Sequence, residues 1–161
     1  MKRLAAWLII AVALASPASA DTLAQQVQAE ASRLLLQVKS AEAAANAKPS
    51  GKPAPLSPAL VSDMQRFGLA AVRLSSEIDA SGGPKDLRCI FRGMAAETDN
   101  QLKAAAGAAN GAVQAKALSR LNHMLSDAVL IAPAVGGPAQ AKAAANARSA
   151  AAQQCEISRD F

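Results

Sequence analysis

"SPALVSDMQRFGLAAVRLSSEIDASGGP", Ser57 to Pro84, carries the clearest structural pattern in the chain. Ser57 is a natural helix N-cap, because its hydroxyl can accept from an amide that has no partner in the first turn. Pro58 suits the first helical position, where a missing N–H costs nothing. Leu60, Met64, Phe67, Ala71, Leu74 and Ile78 then follow at steps of four, three, four, three and four. That spacing lines apolar side chains along one helical face and lets them insert between those of neighbouring helices. Gly82-Gly83-Pro84 closes the segment, since glycine reaches the left-handed backbone that ends helices and proline cannot extend one. A helix of this length with one apolar face needs partners.

The partners lie on both sides. Downstream, a third helix starts at Pro84 or Asp86, with Leu87, Ile90, Phe91, Met94, Thr98, Leu102 and Ala105 as its stripe. Gly107 weakens it, and Asn110-Gly111 reads as a turn. A fourth covers roughly Ala112 to Ile131, with Leu118, Leu121, Leu125, Ala128 and Ala132 inward, until Pro133 and Gly136-Gly137-Pro138 break it. Upstream, a first helix runs from about Thr22 to Ala47 on Leu23, Val27, Ala31, Leu34, Val38, Ala41 and Ala45. Its last two turns offer only alanine, which buries little area, so that end is expected to fray or pack weakly. Between the first two helices lies "KPSGKPAPLSP", Lys48 to Pro58. As an extended polyproline-like path it reaches roughly 34 Å, enough for the two helices to run parallel or antiparallel.

No segment alternates with period two, so no strands are expected. The fold class is all-α: a small bundle of four amphipathic helices plus a weak alanine-rich C-terminal helix or tail. A fifth helix from about Pro138 to Gln154 is marginal by itself. "AQAKAAANARSAAAQQ", Ala139 to Gln154, also reads as compositional bias, so residues 133–161 are expected to form a weakly packed tail.

The first twenty residues read as a secretory signal. Lys2 and Arg3 precede "LAAWLIIAVALA", Leu4 to Ala15, an apolar run short for a membrane span. "SPASA", Ser16 to Ala20, ends in small residues a signal peptidase accepts, so cleavage is expected before Asp21. An uncleaved anchor is the competing reading. No cysteine at the junction offers a lipid attachment point. The remainder, 21–161, forms a single α-helical domain with the proline-rich linker 48–58 inside it and no transmembrane segment. An exported chain of this kind is expected in the periplasm.

Without Lys2 and Arg3, the 17 basic side chains become 15 against 12 acidic ones, a net charge of +3. That balance is mild and dispersed, so it argues against nucleic acid. Trp7 leaves with the signal, tyrosine is absent, and Phe67, Phe91 and Phe161 provide no platform for stacking bases.

Cys89 and Cys155 are the only cysteines, in a chain bound for an oxidising compartment. The plain expectation is a structural disulfide, closing a loop of about 65 residues and stabilising the fold by ~4 kcal/mol. A straight fifth helix would carry Cys155 ~25 Å from the end holding Cys89, so a bond needs a bent or irregular tail, turning near Asn146. The alternative is a reactive thiol: Cys89 lies near a helix N-terminus beside Arg88 and Arg92, which would favour the thiolate. Leu87, Ile90 and Phe91 surround it, and no Cys-x-x-Cys is present.

Lys85, Arg88 and Arg92 share one face of the third helix and offer an anion or partner patch; an ordinary solvated face, balanced by Asp86, is the plainer reading. Ser119, His123 and Asp127 imitate a hydrolase triad at helical spacing, but that spacing brings no oxyanion hole or nucleophile turn. A His123–Asp127 metal pair falls short of a zinc site. Haem-carrying bundles invite comparison, yet Cys155 is followed by Glu156-Ile157 rather than histidine, and Met64 and Met94 fall on core stripes. No metal or cofactor is therefore expected. The leading expectation is a non-enzymatic periplasmic binding or accessory module, whose partner is a protein or envelope component, with weak contact to an anionic surface. Its contact surface is the Lys85, Arg88 and Arg92 end or a groove left by the tail. The alternatives are a carrier of a hydrophobic or haem-like ligand within the bundle and a thiol-dependent redox protein using Cys89.

Overall fold

The computed structural model describes residues 18–135, with side chains from residue 22 onward. These residues form α1 (Ala18–Asn46), α2 (Pro58–Ala80), α3 (Lys85–Ala106) and α4 (Gly111–Ile131), followed by a short 3-10 turn at Ala132–Val135. The protein is an all-α bundle, and no strand occurs among the described residues. No helix among them is long and apolar enough to cross a membrane.

The ends of α2 form as their residues dictate. Ser57 caps α2, its hydroxyl accepting from the Leu60 amide at 3.1 Å. At the other end Gly82 takes φ +68°. Its N–H donates to the Asp79 carbonyl and the Gly83 N–H to the Ile78 carbonyl at 2.8 Å, so two carbonyls without helical partners are satisfied. The expected stripes face inward. All six α2 positions and all seven α3 positions are buried, as are Leu118, Leu121, Leu125 and Ala128 of α4 and Ala132 in the turn that follows it. Phe67 and Phe91 lie fully buried with Leu34, Met64, Leu74, Leu118, Leu121 and Leu125.

The helices alternate in direction. On α1 and α4, Gln28 donates to the Val129 carbonyl and Asn122 donates to Glu42, so the start of one lies beside the end of the other. On α2 and α3, Ser75 donates to the Arg88 carbonyl, and Gly68 approaches Ala95 and Thr98. On α3 and α4, the Thr98 hydroxyl approaches Met124 Sδ at 3.6 Å and Gln114 donates to the Ala105 carbonyl. Three antiparallel pairings leave α2 opposed to α1, which settles the orientation that linker length alone leaves open. Arg33 of α1 reaches Asp63 of α2 at 2.5 Å, and Arg66 pairs with the same carboxylate.

That cluster sets one pH response. The Arg33 hydrogen bond, with the charges of Arg33 and Arg66, holds the Asp63 carboxyl below its ordinary value of 3.8 against the opposing push of burial. A lowered carboxyl contributes stability above its unfolded value and loses it as pH falls through the folded one. The Asp63 carboxyl resonance should therefore titrate below 3.8, and Arg33→Ala should raise its midpoint in an NMR titration. An unchanged midpoint would disconnect the two.

Three expectations need correction. α1 starts at Ala18, before the expected Thr22, and its alanine end is not loosely packed. Ala45 is buried, and the turn beyond it is fixed to the start of α4: the Gly111 N–H donates to the Gly51 carbonyl and the Ala112 N–H to the Pro49 carbonyl. Small side chains bury little area but let backbones approach closely, and here the second effect wins. Gly111 is likewise not a turn residue but a buried helical one. A Cβ there would lie 2.7 Å from the Ala45 carbonyl oxygen and closer still to that of Lys48. The preceding Asn110 is the α4 N-cap, accepting from the Val113 amide at 3.0 Å.

Candidate functional site

The segment between α1 and α2 folds down along α1 before α2 begins. Its prolines leave it without regular helix, so its backbone groups need outside partners. Gln114 of α4 supplies them. This buried glutamine accepts from the Ala54 amide at 3.0 Å and donates to the Ala54 carbonyl, and it also donates to the Ala105 carbonyl at 3.3 Å. One side chain thus holds the segment in both directions and satisfies a carbonyl in the last turn of α3.

Fixing the segment there leaves a groove of about 510 Å³ between it and α1. One wall is Leu36, Gln37, Ser40, Ala41 and Ala44; the other is Ala54 to Ser57, with Leu60 and Gln114 completing the lining. No charged side chain lines it. Leu36 stands at the groove with 71% of its surface exposed. The groove is not legible in the sequence, because its two walls come from different segments. One residue did carry a signal: Gln114 is the polar member of an otherwise apolar run with Leu118, Leu121 and Leu125. A glutamine on an inward stripe implies a buried backbone to hold.

The basic residues expected to act together are placed unequally. Arg88 is half-buried and paired with Asp79 of α2, while its carbonyl accepts from Ser75. Lys85 and Arg92 are exposed and make no ion pair among the described residues. Arg88 thus ties α3 to α2, and the outward charge of this end comes from Lys85 and Arg92. Cys89 is half-buried on the outer side of α3, off the stripe of Leu87, Ile90, Phe91 and Met94. Cys155 lies outside the described residues, as do the expected signal sequence before residue 18 and the tail beyond Val135.

Ser119, His123 and Asp127 share a face of α4, with His123 exposed as its position implies. No hydrogen bond joins them. Partial burial pushes the Asp127 carboxyl up, and the charge of His123 pulls it down. An aspartate that orients a catalytic histidine accepts its N–H; Asp127 does not. Among the described residues, no group of three His, Cys, Asp or Glu side chains is placed to hold a metal ion. Met64 and Met94 are buried, whereas His123 faces out, so these three do not converge on one ligand. No protein-family model, curated protein or solved structure matches this chain.

Proposed function

We propose that this chain is exported and acts by contact, as a small non-enzymatic helical module that receives an uncharged apolar segment of another envelope protein in the α1 groove. The supporting observation is the groove itself: an uncharged apolar trough of about 510 Å³ with a largely exposed leucine at its edge. A single exposed leucine needs no explanation. Leu36 differs because Ala41, Ala44, Pro55, Leu56 and Leu60 continue the surface it begins. Burying a leucine stabilises a contact by about 1.5–3 kcal/mol. Support for export comes from the charged, apolar and small-residue pattern of residues 1–20. The volume also falls within the range of small-molecule sites, which gives the carrier alternative a place on this surface.

A photo-crosslinking residue at position 36 of the exported chain should capture a defined envelope protein, and one at Arg73, on the exposed side of α2, should not. Leu36→Lys should reduce binding of that protein at least tenfold while leaving the circular dichroism unchanged. Equal capture from both positions, or a Leu36→Lys chain that binds normally, would remove the groove from the function. N-terminal sequencing of the mature chain should begin at Asp21. Native mass spectrometry showing a retained small apolar molecule would favour the carrier reading instead.

A further inference from the structure

We propose that Asn110 is a modification site gated by the fold: in an opened chain it loses ammonia to the Gly111 amide and becomes isoaspartate, and docking of the α1–α2 segment on α4 blocks that reaction. The asparagines are Asn46, Asn100, Asn110, Asn122 and Asn146, and only Asn110 is followed by glycine. The following residue matters because its amide nitrogen is the attacking atom. Without a Cβ beside it, that nitrogen is unhindered and its backbone turns freely. By sequence, Asn110-Gly111 is therefore the most reactive such pair in the chain. The structure restrains every part of it. The Gly111 N–H, which carries the nucleophile, donates to the Gly51 carbonyl at 3.0 Å. The side-chain carbonyl of Asn110, the target group, accepts from the Val113 amide at 3.0 Å. Its main-chain carbonyl accepts from the Gln114 amide at 3.1 Å. Asn110 is only half-buried, so water reaches it and its protection is conformational.

The reaction needs a rotation that the packing forbids. Asn110 holds ψ at 174°, and ring closure requires its Cα–C bond to turn until the Gly111 nitrogen stands over Cγ. That turn would move Gly111, which lies too close to the Ala45 and Lys48 carbonyl oxygens to admit even a Cβ. Once the junction opens, the Gly111 nitrogen gives up its proton and bonds to Cγ. The bond from Cγ to the side-chain nitrogen breaks, and ammonia leaves with that proton. Water then opens the five-membered ring: its hydroxyl adds to a ring carbonyl and its proton goes to the ring nitrogen. Opening at Cγ gives aspartate, whereas opening at the main-chain carbonyl gives isoaspartate. No oxidant or reductant takes part. Aspartate still caps α4. Isoaspartate lengthens the backbone by a carbon, so the cap and the Gly111 N–H no longer reach their partners together, and the opening leaves a permanent mark.

The test incubates the full chain at mildly alkaline pH with and without denaturing urea. Peptide mass spectrometry reads the exchange of NH2 for OH at each asparagine, and enzymatic methylation reads isoaspartate. Asn110 should convert roughly tenfold or more faster in urea than in the folded chain, while Asn46, Asn100 and Asn122 stay slow in both. Gln114→Ala frees the segment that carries Gly51, so it should speed conversion in the folded chain. Leu74→Ala, which weakens the bundle from α2, should speed it less. Asn110→Asp should keep the parent's thermal midpoint, and chains isolated with isoaspartate at position 110 should refold with a lower one. Equal rates at Asn110 with and without urea, or no conversion in urea, would overturn the proposal. Equal acceleration by the two variants would remove the docked segment as the gate, and an isoaspartate chain as stable as Asn110→Asp would remove the mark.

Discussion

Gly111→Ala is expected to destabilise the protein by about 3 kcal/mol and to lower its thermal midpoint by roughly 10 °C. Elsewhere in a helix this exchange would stabilise by about 1 kcal/mol, because alanine has the better propensity. Here the added carbon meets the Ala45 and Lys48 carbonyl oxygens, both backbone atoms at the end of α1. Neither can rotate aside as a flexible side chain would. The clash must be relieved by moving α4 away from α1. That movement also lengthens the bonds from Gly111 to Gly51 and from Ala112 to Pro49. Gly107→Ala is a suitable comparison: its nearest atom is a single carbonyl oxygen of its own helix end, at 3.3 Å. Urea unfolding of the two variants should separate them clearly. A Gly111→Ala chain as stable as the parent would show that the two helices do not approach as closely as described.

The second large effect falls on Gln114. Gln114→Ala removes the acceptor for the Ala54 amide and the donor to the Ala54 and Ala105 carbonyls. Buried groups left without partners cost more than the hydrogen bonds themselves contribute, so a loss of about 3 kcal/mol is expected. The damage should be local as well as global. Amide exchange at Ala54 and Leu56 should accelerate far more than exchange in the middle of α2. Gln114→Glu is the discriminating variant, because a carboxylate keeps one acceptor but turns an oxygen toward two carbonyls. It should be less stable at neutral pH than in mild acid, where protonation restores a donor. Equal exchange rates in the parent and Gln114→Ala would mean that the proline-rich segment is fixed by something other than this side chain.

The sequence predicts the helices well and their meeting places less well, for physical reasons. The stripes of α2 and α3 are legible because each consists of large apolar residues at helical steps, and such a face has only one place to go. Ser57 and Gly82 are legible because their chemistry acts within a few residues. Position 111 is different. A glycine after asparagine fits a turn equally well, and only the carbonyls of Ala45 and Lys48, more than sixty positions away, show that it is required for close approach. The alanine end of α1 is illegible on the same account: buried area counts against alanine, while the short separation it permits appears only once the partner is known. Arg88 illustrates the limit for the candidate site. Its spacing with Lys85 and Arg92 defines a common face, but spacing does not reveal that Asp79 of the preceding helix already neutralises it.

α1 packs more extensively against α4 than against α2, and Gln28 and Val129, which hydrogen-bond across that interface, are 101 positions apart. The earliest helix to be synthesised thus waits for the latest of the four before its main contact exists. Joining such distant stretches carries a loop-closure penalty that only the finished set of contacts repays. A chain made only as far as α3 can pair α2 with α3, but it leaves α1 without its main partner. The wiring of the bundle thus defers its closure until the last of the four helices has been made.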